Sequence, residues 1–183
     1  MAWNLTRIPA PLRPALEERL SQLAERGPPT FAGATVDGAP LAALPVVWAC
    51  SDFVADACLR DAGLLSWLCG ERRLLERVTE ESLRADFAAG LDPAGDDAHF
   101  MDELRRFRRR QLVRIAWRDL AGLADVETVL QELSLLADAC IAAACRRAAA
   151  TLEARHGVPR DEDGTPLELM VLGMGKLGGG ELN

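Results

Sequence analysis

The chain has 183 residues, with 21 basic and 28 acidic side chains and a net charge of −7. That length suits one domain, or one and a fraction, and it can bury a core without disulfide or metal staples. A pI near 4.9 speaks against general nucleic-acid binding, the short interrupted apolar runs against a bilayer span, and the Met1–Arg7 stretch against a signal peptide.

In chain order, Leu12 to Arg26 reads as a first helix, with Leu12, Leu16, Leu20 and Leu23 on one face. Gly27-Pro28-Pro29 stops it, and residues 27–44 read as a loop. Pro45 suits the first turn of a second helix running to about Arg60. A third covers roughly Leu64 to Arg77. Thr79 is placed to cap a fourth, with Glu80 and Glu81 in its first turn and Gly90 at its end. Residues 91–97 form a polar loop.

Two long helices follow. The first spans about 98–121 and is closed by Gly122. The second begins at an Asp125 cap and carries an apolar stripe from Val126 through Leu133, Cys140 and Ile141 to Leu152, ending at His156-Gly157. At 1.5 Å per residue it would span roughly 45 Å, a length that suggests the spine of a bundle.

After Pro159 the pattern changes. Asp161-Glu162-Asp163-Gly164 predicts a turn, and Leu167 to Leu172 reads as a strand entering a core. The composition shift near residue 158 marks a boundary: a helical region over 1–157 and the start of a second domain over 158–183.

The strand runs into five glycines within eight residues, Gly173 to Gly180, around Lys176. Glycine lets backbone N–H groups approach a phosphate closely, and a lysine there adds a point charge. Lys176 is the only lysine in a chain whose other 20 basic residues are arginine. A Walker A reading fails, because Met170 stands where its first glycine belongs and Leu177 where its Ser/Thr belongs. Gly173-x-Gly175-x-x-Gly178 matches the dinucleotide fingerprint, a weak signal on its own. A ligand-free strand-to-helix turn fits the same residues.

Seven arginines and no acidic residue lie between Arg105 and Arg118, with Arg106, Arg110, Arg114 and Arg118 in one i, i+4 stripe. The stripe reads either as a surface for phosphate or an acidic partner, or as a solvated, salt-bridged face, the latter being commoner for surface charge. Trp117 and Phe107 are expected core anchors. The five cysteines are odd in number and form no C-x-x-C, which fits a reducing cytoplasm. Those at 50, 58, 140 and 145 fall on or near apolar faces as small hydrophobes. His99 and His156 have no partner at catalytic spacing.

The segment Val171-Leu172-Gly173-Met174-Gly175-Lys176-Leu177-Gly178-Gly179-Gly180-Glu181-Leu182-Asn183 resembles the signature of the glutamine synthetase adenylyltransferase/deadenylylase family. Leu104 to Arg110, Arg114 to Leu120 and Ser51 to Ala55 are similar to helical segments of its N-terminal half. The resemblance implies a mainly α fold: an N-terminal helical bundle with long helices, then the first strand of a polymerase-β-like nucleotidyltransferase α+β domain, here incomplete. It implies an enzyme that removes AMP from a tyrosine of glutamine synthetase by phosphorolysis, releasing ADP. In the longer protein, a second core adds AMP from ATP. It implies Mg2+ held by an Asp-x-Asp pair, since hard cations take oxygen ligands. Those ligands are expected just after Asn183, so no catalytic residue or metal ligand is assigned within the chain and the piece alone is expected to be inactive. Gly173, Met174, Gly175, Lys176, Gly178 and Gly179 are the implied nucleotide-proximal positions. Glutamine synthetase and the PII signal protein are the implied partners, with no nucleic acid and no membrane. The alternative is a helical interaction module whose glycine segment is a linker.

Overall fold

The computed structural model describes residues 3–26, 39–70, 73–90 and 96–183. The described residues form helices α1 (Arg13–Glu25), α2 (Ala39–Ala42), α3 (Leu44–Cys50), α4 (Asp52–Arg60), α5 (Ala62–Cys69), α6 (Glu80–Gly90), α7 (Asp97–Leu120), α8 (Val126–His156) and a one-turn α9 (Gly175–Gly178). The mainly α expectation holds. The Gly27–Pro29 stop, most of the 27–44 loop and residues 91–95 lie outside the described residues. What is described there differs in part, because Ala39–Ala42 is a helical turn rather than loop.

The stretch read as one helix from Pro45 to Arg60 is two. Ser51 adopts an extended conformation and its Oγ accepts a hydrogen bond from the Val54 N–H at 3.3 Å, so it caps α4 and breaks the run. Asp61 repeats the device, its carboxylate accepting from the Gly63 N–H at 3.0 Å to start α5. The third helix ends at Cys69, well short of Arg77. Thr79 and Ser82 cap α6 reciprocally: the Thr79 hydroxyl accepts from the Ser82 N–H at 3.1 Å, and the Ser82 hydroxyl from the Thr79 N–H at 2.9 Å.

The core is in two parts. One gathers α1, α3, α4 and α5 around Leu16, Trp48, Val54 and Leu64, and is closed by Val113 and Trp117 of α7. The other joins α6, α7 and α8 through Leu83, Phe100, Phe107, Ile115 and Leu136. Helix α7 therefore belongs to both, and it, rather than the longer α8, is the spine. Phe87 and Phe107 meet edge to face at 5.2 Å. Phe107 and Trp117 are the anchors expected of them.

The arginine stripe of α7 is split, which corrects both readings of it. Arg114 and Arg118 are buried. Arg114 donates to the carbonyls of Arg73 at 2.8 Å and Glu76 at 3.2 Å, and Arg118 to that of Leu74 at 2.9 Å. A non-helical segment must find partners for its carbonyls where it meets the core, and the two guanidinium groups supply them from inside. Burial pushes the Arg114 guanidinium below its usual range, opposed by the carboxylates of Asp86 and Glu132. Arg73 pairs with Asp86 at 2.6 Å, and Gln111 donates to the other Asp86 oxygen at 2.6 Å.

Helix α8 is long and apolar enough to cross a membrane by length and composition, contrary to the sequence reading. In the fold it packs along α7 and α6, and it buries Thr128, Glu132 and Ser134 on the packed side. Cys58 is buried as expected, whereas Cys50 is exposed. His99 does have a neighbour, with Nε2 at 3.1 Å from the Glu103 carboxylate one turn on.

Candidate functional site

The carboxy-terminal stretch begins as a tight turn. The Asp161 carboxylate accepts from the N–H groups of Asp163 at 3.0 Å and Thr165 at 2.8 Å, while Gly164 turns the chain at φ 81°. Arg160 and Pro166 form an isolated antiparallel bridge. This is the predicted turn.

The expected strand over 167–172 is not formed. The segment has no regular secondary structure, and among the described residues no strand ladder exists. A strand is defined by its pairing, and among the described residues this segment pairs only at its first position, where the Leu167 N–H donates to the Pro159 carbonyl at 2.8 Å. Leu169, Met170 and Leu172 are 71%, 78% and 78% exposed, a row of apolar side chains without cover. Val171, Gly173 and Leu177 line a small cavity of about 320 Å³ against Asp138, Ile141 and Cys145 of α8. The Leu182 N–H donates to the Ser134 hydroxyl of α8 at 3.3 Å. That anchor joins positions 48 apart, so no local pattern in the sequence announces it.

All six predicted nucleotide-proximal residues fall in one compact turn. Met174 precedes α9 with no side-chain cap, and Gly175 opens it at φ 59°. Lys176 to Gly178 complete the turn, and Gly179 follows at its C-cap. The Glu181 N–H donates to the Lys176 carbonyl at 2.8 Å and the Gly180 N–H to the Leu177 carbonyl at 3.1 Å. With Gly180 at φ 70°, this is a Schellman closure. A Cβ at Gly178 would lie 2.5 Å from the Gly173 carbonyl oxygen. The two ends of the turn thus touch backbone to backbone, and only glycine permits that.

Lys176 is exposed, and its Nζ hydrogen-bonds the Asn183 side-chain oxygen. The first-turn N–H groups of so short a helix lie beyond the reach of intrahelical acceptors. The arrangement offers backbone donors and one exposed cation side by side, the chemistry a phosphate group uses. No group of three or more His, Cys, Asp or Glu side chains placed to hold a metal occurs among the described residues.

The family model for glutamate-ammonia ligase adenylyltransferase matches residues 41–183. A bifunctional glutamine synthetase adenylyltransferase/adenylyl-removing enzyme of Thioalkalivibrio sulfidiphilus is 43% identical over 141 residues, 77% of this chain and 14% of that protein. The enzymes of the same name from Nitrosococcus oceani and Pseudomonas aeruginosa are 36% and 37% identical, over 100% and 98% of this chain and 19% of each relative. The chain thus spans less than a fifth of the length of these relatives. With most of its length matched, helical region and glycine turn alike, the chain belongs to the glutamate-ammonia ligase adenylyltransferase family.

Proposed function

We propose that this chain is the N-terminal part of a nucleotidyltransferase that removes AMP from a tyrosine of glutamine synthetase by phosphorolysis, releasing ADP, and whose second core adds AMP from ATP. Family membership supports the general activity. The single observation that carries the site is the glycine turn, closed by the Gly173–Gly178 backbone contact, with the exposed Lys176 at its centre and hydrogen-bonded to Asn183. In this reading Gly173, Met174, Gly175, Gly178 and Gly179 set the backbone close to a phosphate group and Lys176 supplies positive charge to it.

Magnesium is the implied cofactor. The described residues offer no carboxylate cluster to hold it, so no step of this reading passes through the ion. Its ligands belong to an Asp-x-Asp pair beyond Asn183, on a strand that also pairs with residues 167–172. That pairing would cover the exposed Leu169, Met170 and Leu172 and complete the polymerase-β-like sheet. The 183 residues alone are then inactive. Glutamine synthetase is the protein substrate, a PII-type signal protein the regulator, and the cytoplasm the compartment.

The test uses the gene product as the cell makes it. Adenylylated glutamine synthetase should release ADP only when inorganic phosphate and magnesium are present. Lys176→Ala should slow that release by about tenfold or more, the loss of one charge-assisted contact to phosphate. An unchanged rate would remove the glycine turn from the active site. An absence of any phosphate-dependent release would favour the interaction-module alternative.

A further inference from the structure

A second concentration of positive charge lies away from the glycine turn. Helices α4, α5 and α7 enclose a cleft of about 510 Å³ lined by Arg60, Asp61, Arg106, Arg109 and Arg110. Its volume falls in the range of small-molecule sites. The buried Ala57 and Leu64 form part of its lining. Four guanidinium groups meet one carboxylate, so three positive charges remain uncompensated.

That imbalance is local and unusual within this protein, whose net charge is −7. Elsewhere on α7, three of the four arginines outside the cleft are accounted for, the exposed Arg108 being the exception. Arg105 pairs with Asp102 at 2.9 Å, and Arg114 and Arg118 bind backbone carbonyls. In the cleft, only Arg110 is paired, at 3.1 Å from Asp61. Its Nε is buried without a hydrogen-bond partner. Asp61 is itself held at the α5 N-terminus by the Gly63 N–H, so it cannot turn to neutralise the others. Arg60, Arg106 and Arg109 are exposed and make no ion pair among the described residues.

We propose that this cleft is a binding site for a small diphosphate-bearing molecule, held by Arg60, Arg106, Arg109 and Arg110 and separate from the glycine turn. Guanidinium groups hold phosphate oxygens in bidentate fashion, and a diphosphate carries the two to three negative charges that the cleft lacks. The cleft is concave and built from three helices, which suits a small anion better than the broad acidic face of a protein. The site stands independently of the function proposed above. An effector held there would sit between α4 and α7, in contact with the spine that both cores share.

The test is calorimetric titration of the chain with inorganic pyrophosphate and, separately, with ADP. Saturable binding of one equivalent is expected, weakening steeply with added salt. Equal affinities would mean that the phosphates alone are read, and tighter ADP that the nucleoside also contributes; either supports the site. The Arg106→Ala/Arg109→Ala variant, both positions being exposed, should keep its circular dichroism spectrum and bind about tenfold or more weakly, while Arg84→Ala, an exposed arginine of α6 outside the cleft, should bind as before. No saturable binding would overturn the proposal, as would equal binding by the double variant. Loss of binding in Lys176→Ala would place the anion at the glycine turn and overturn it too. A Glu-rich peptide binding where pyrophosphate does not would assign the face to an acidic protein instead.

Discussion

Arg118 in α7 and Glu132 in α8 lie 3.4 Å apart with side chains only 2% and 1% exposed, a fully interior ion pair between the two longest helices. The same Glu132 oxygen accepts the Val78 N–H at 2.8 Å, and Arg118 reaches the Leu74 carbonyl. The pair thus fastens the 73–79 segment to both helices. An interior pair gives little net stability compared with an apolar one, yet breaking it strands a buried charge.

Glu132→Ala should therefore destabilise the protein by about 3–5 kcal/mol, read from urea unfolding midpoints. Glu132→Gln keeps an acceptor for the Val78 N–H and should cost less than Glu132→Ala. Equal costs would show that charge, rather than the loop hydrogen bond, dominates.

Asp125 gives a pH signature. Hydrogen bonds from the Thr128 side chain and then its backbone N–H, the latter at 2.8 Å, hold the carboxyl below the usual carboxylate range. A carboxyl depressed in the folded state stabilises fully above its unfolded pKa, near 3.9, and loses that contribution as pH falls through the folded value. Asp125→Ala should be less stable than the parent at neutral pH. The gap should narrow only below about pH 4, and Asp125→Asn, which caps without titrating, should show no such narrowing. Thermal melts of the three proteins from neutral to acid pH decide it.

The cysteines should react in a fixed order. Burial pushes the Cys58 thiol up to about 12, opposed by the neighbouring Trp48 side chain and reinforced slightly by Cys69 and Asp61. Burial raises Cys69 to about 11. At pH 8 only about one Cys58 in ten thousand is thiolate, and the thiolate is the reactive form. A thiol reagent should label exposed Cys50 in the native protein and Cys58 only after unfolding, as followed by peptide mass mapping. Cys58 labelling as fast as Cys50 would refute the buried placement.

The glycine turn separates two neighbours. A methyl at Gly178 would strike the Gly173 carbonyl at 2.5 Å, whereas one at Gly179 has 3.5 Å to its nearest neighbour and an ordinary φ of −84°. Gly178→Ala should open the turn and speed amide exchange at Gly180 and Glu181, whose N–H groups close it. Gly179→Ala should leave exchange within about twofold of the parent, as an uncrowded surface change.

Much of this was readable from sequence, for reasons that differ by element. Helix α8 was legible at both ends because Asp125 caps it and Gly157, at φ 82°, stops it. Periodicity missed the break at Ser51, since a capping serine between two apolar stretches leaves the helical spacing intact. It also ran the third helix past Cys69, because Leu74 and Val78 continue an apolar rhythm that tertiary burial alone sustains. Charge counting saw the arginine run but not its division, as a solvated guanidinium and one bound to carbonyls look alike in a string of letters. The glycine turn was legible by its residues. Its closure onto Ser134 was not, being a contact between positions 48 apart.

Helix α7 supplies Val113 and Trp117 to the first core and Phe100, Phe107 and Ile115 to the second. During synthesis the chain leaves the ribosome N-terminus first. Residues 8–74, which hold most of the first core, emerge long before Trp117, which seals it. Until then Trp48 of α3 and Val54 of α4, the helices that α7 packs against in this core, lack that cover. The nascent chain must carry an open apolar bowl through the synthesis of some forty further residues, the distance from Leu74 to Trp117, and that interval is where a holding chaperone would act.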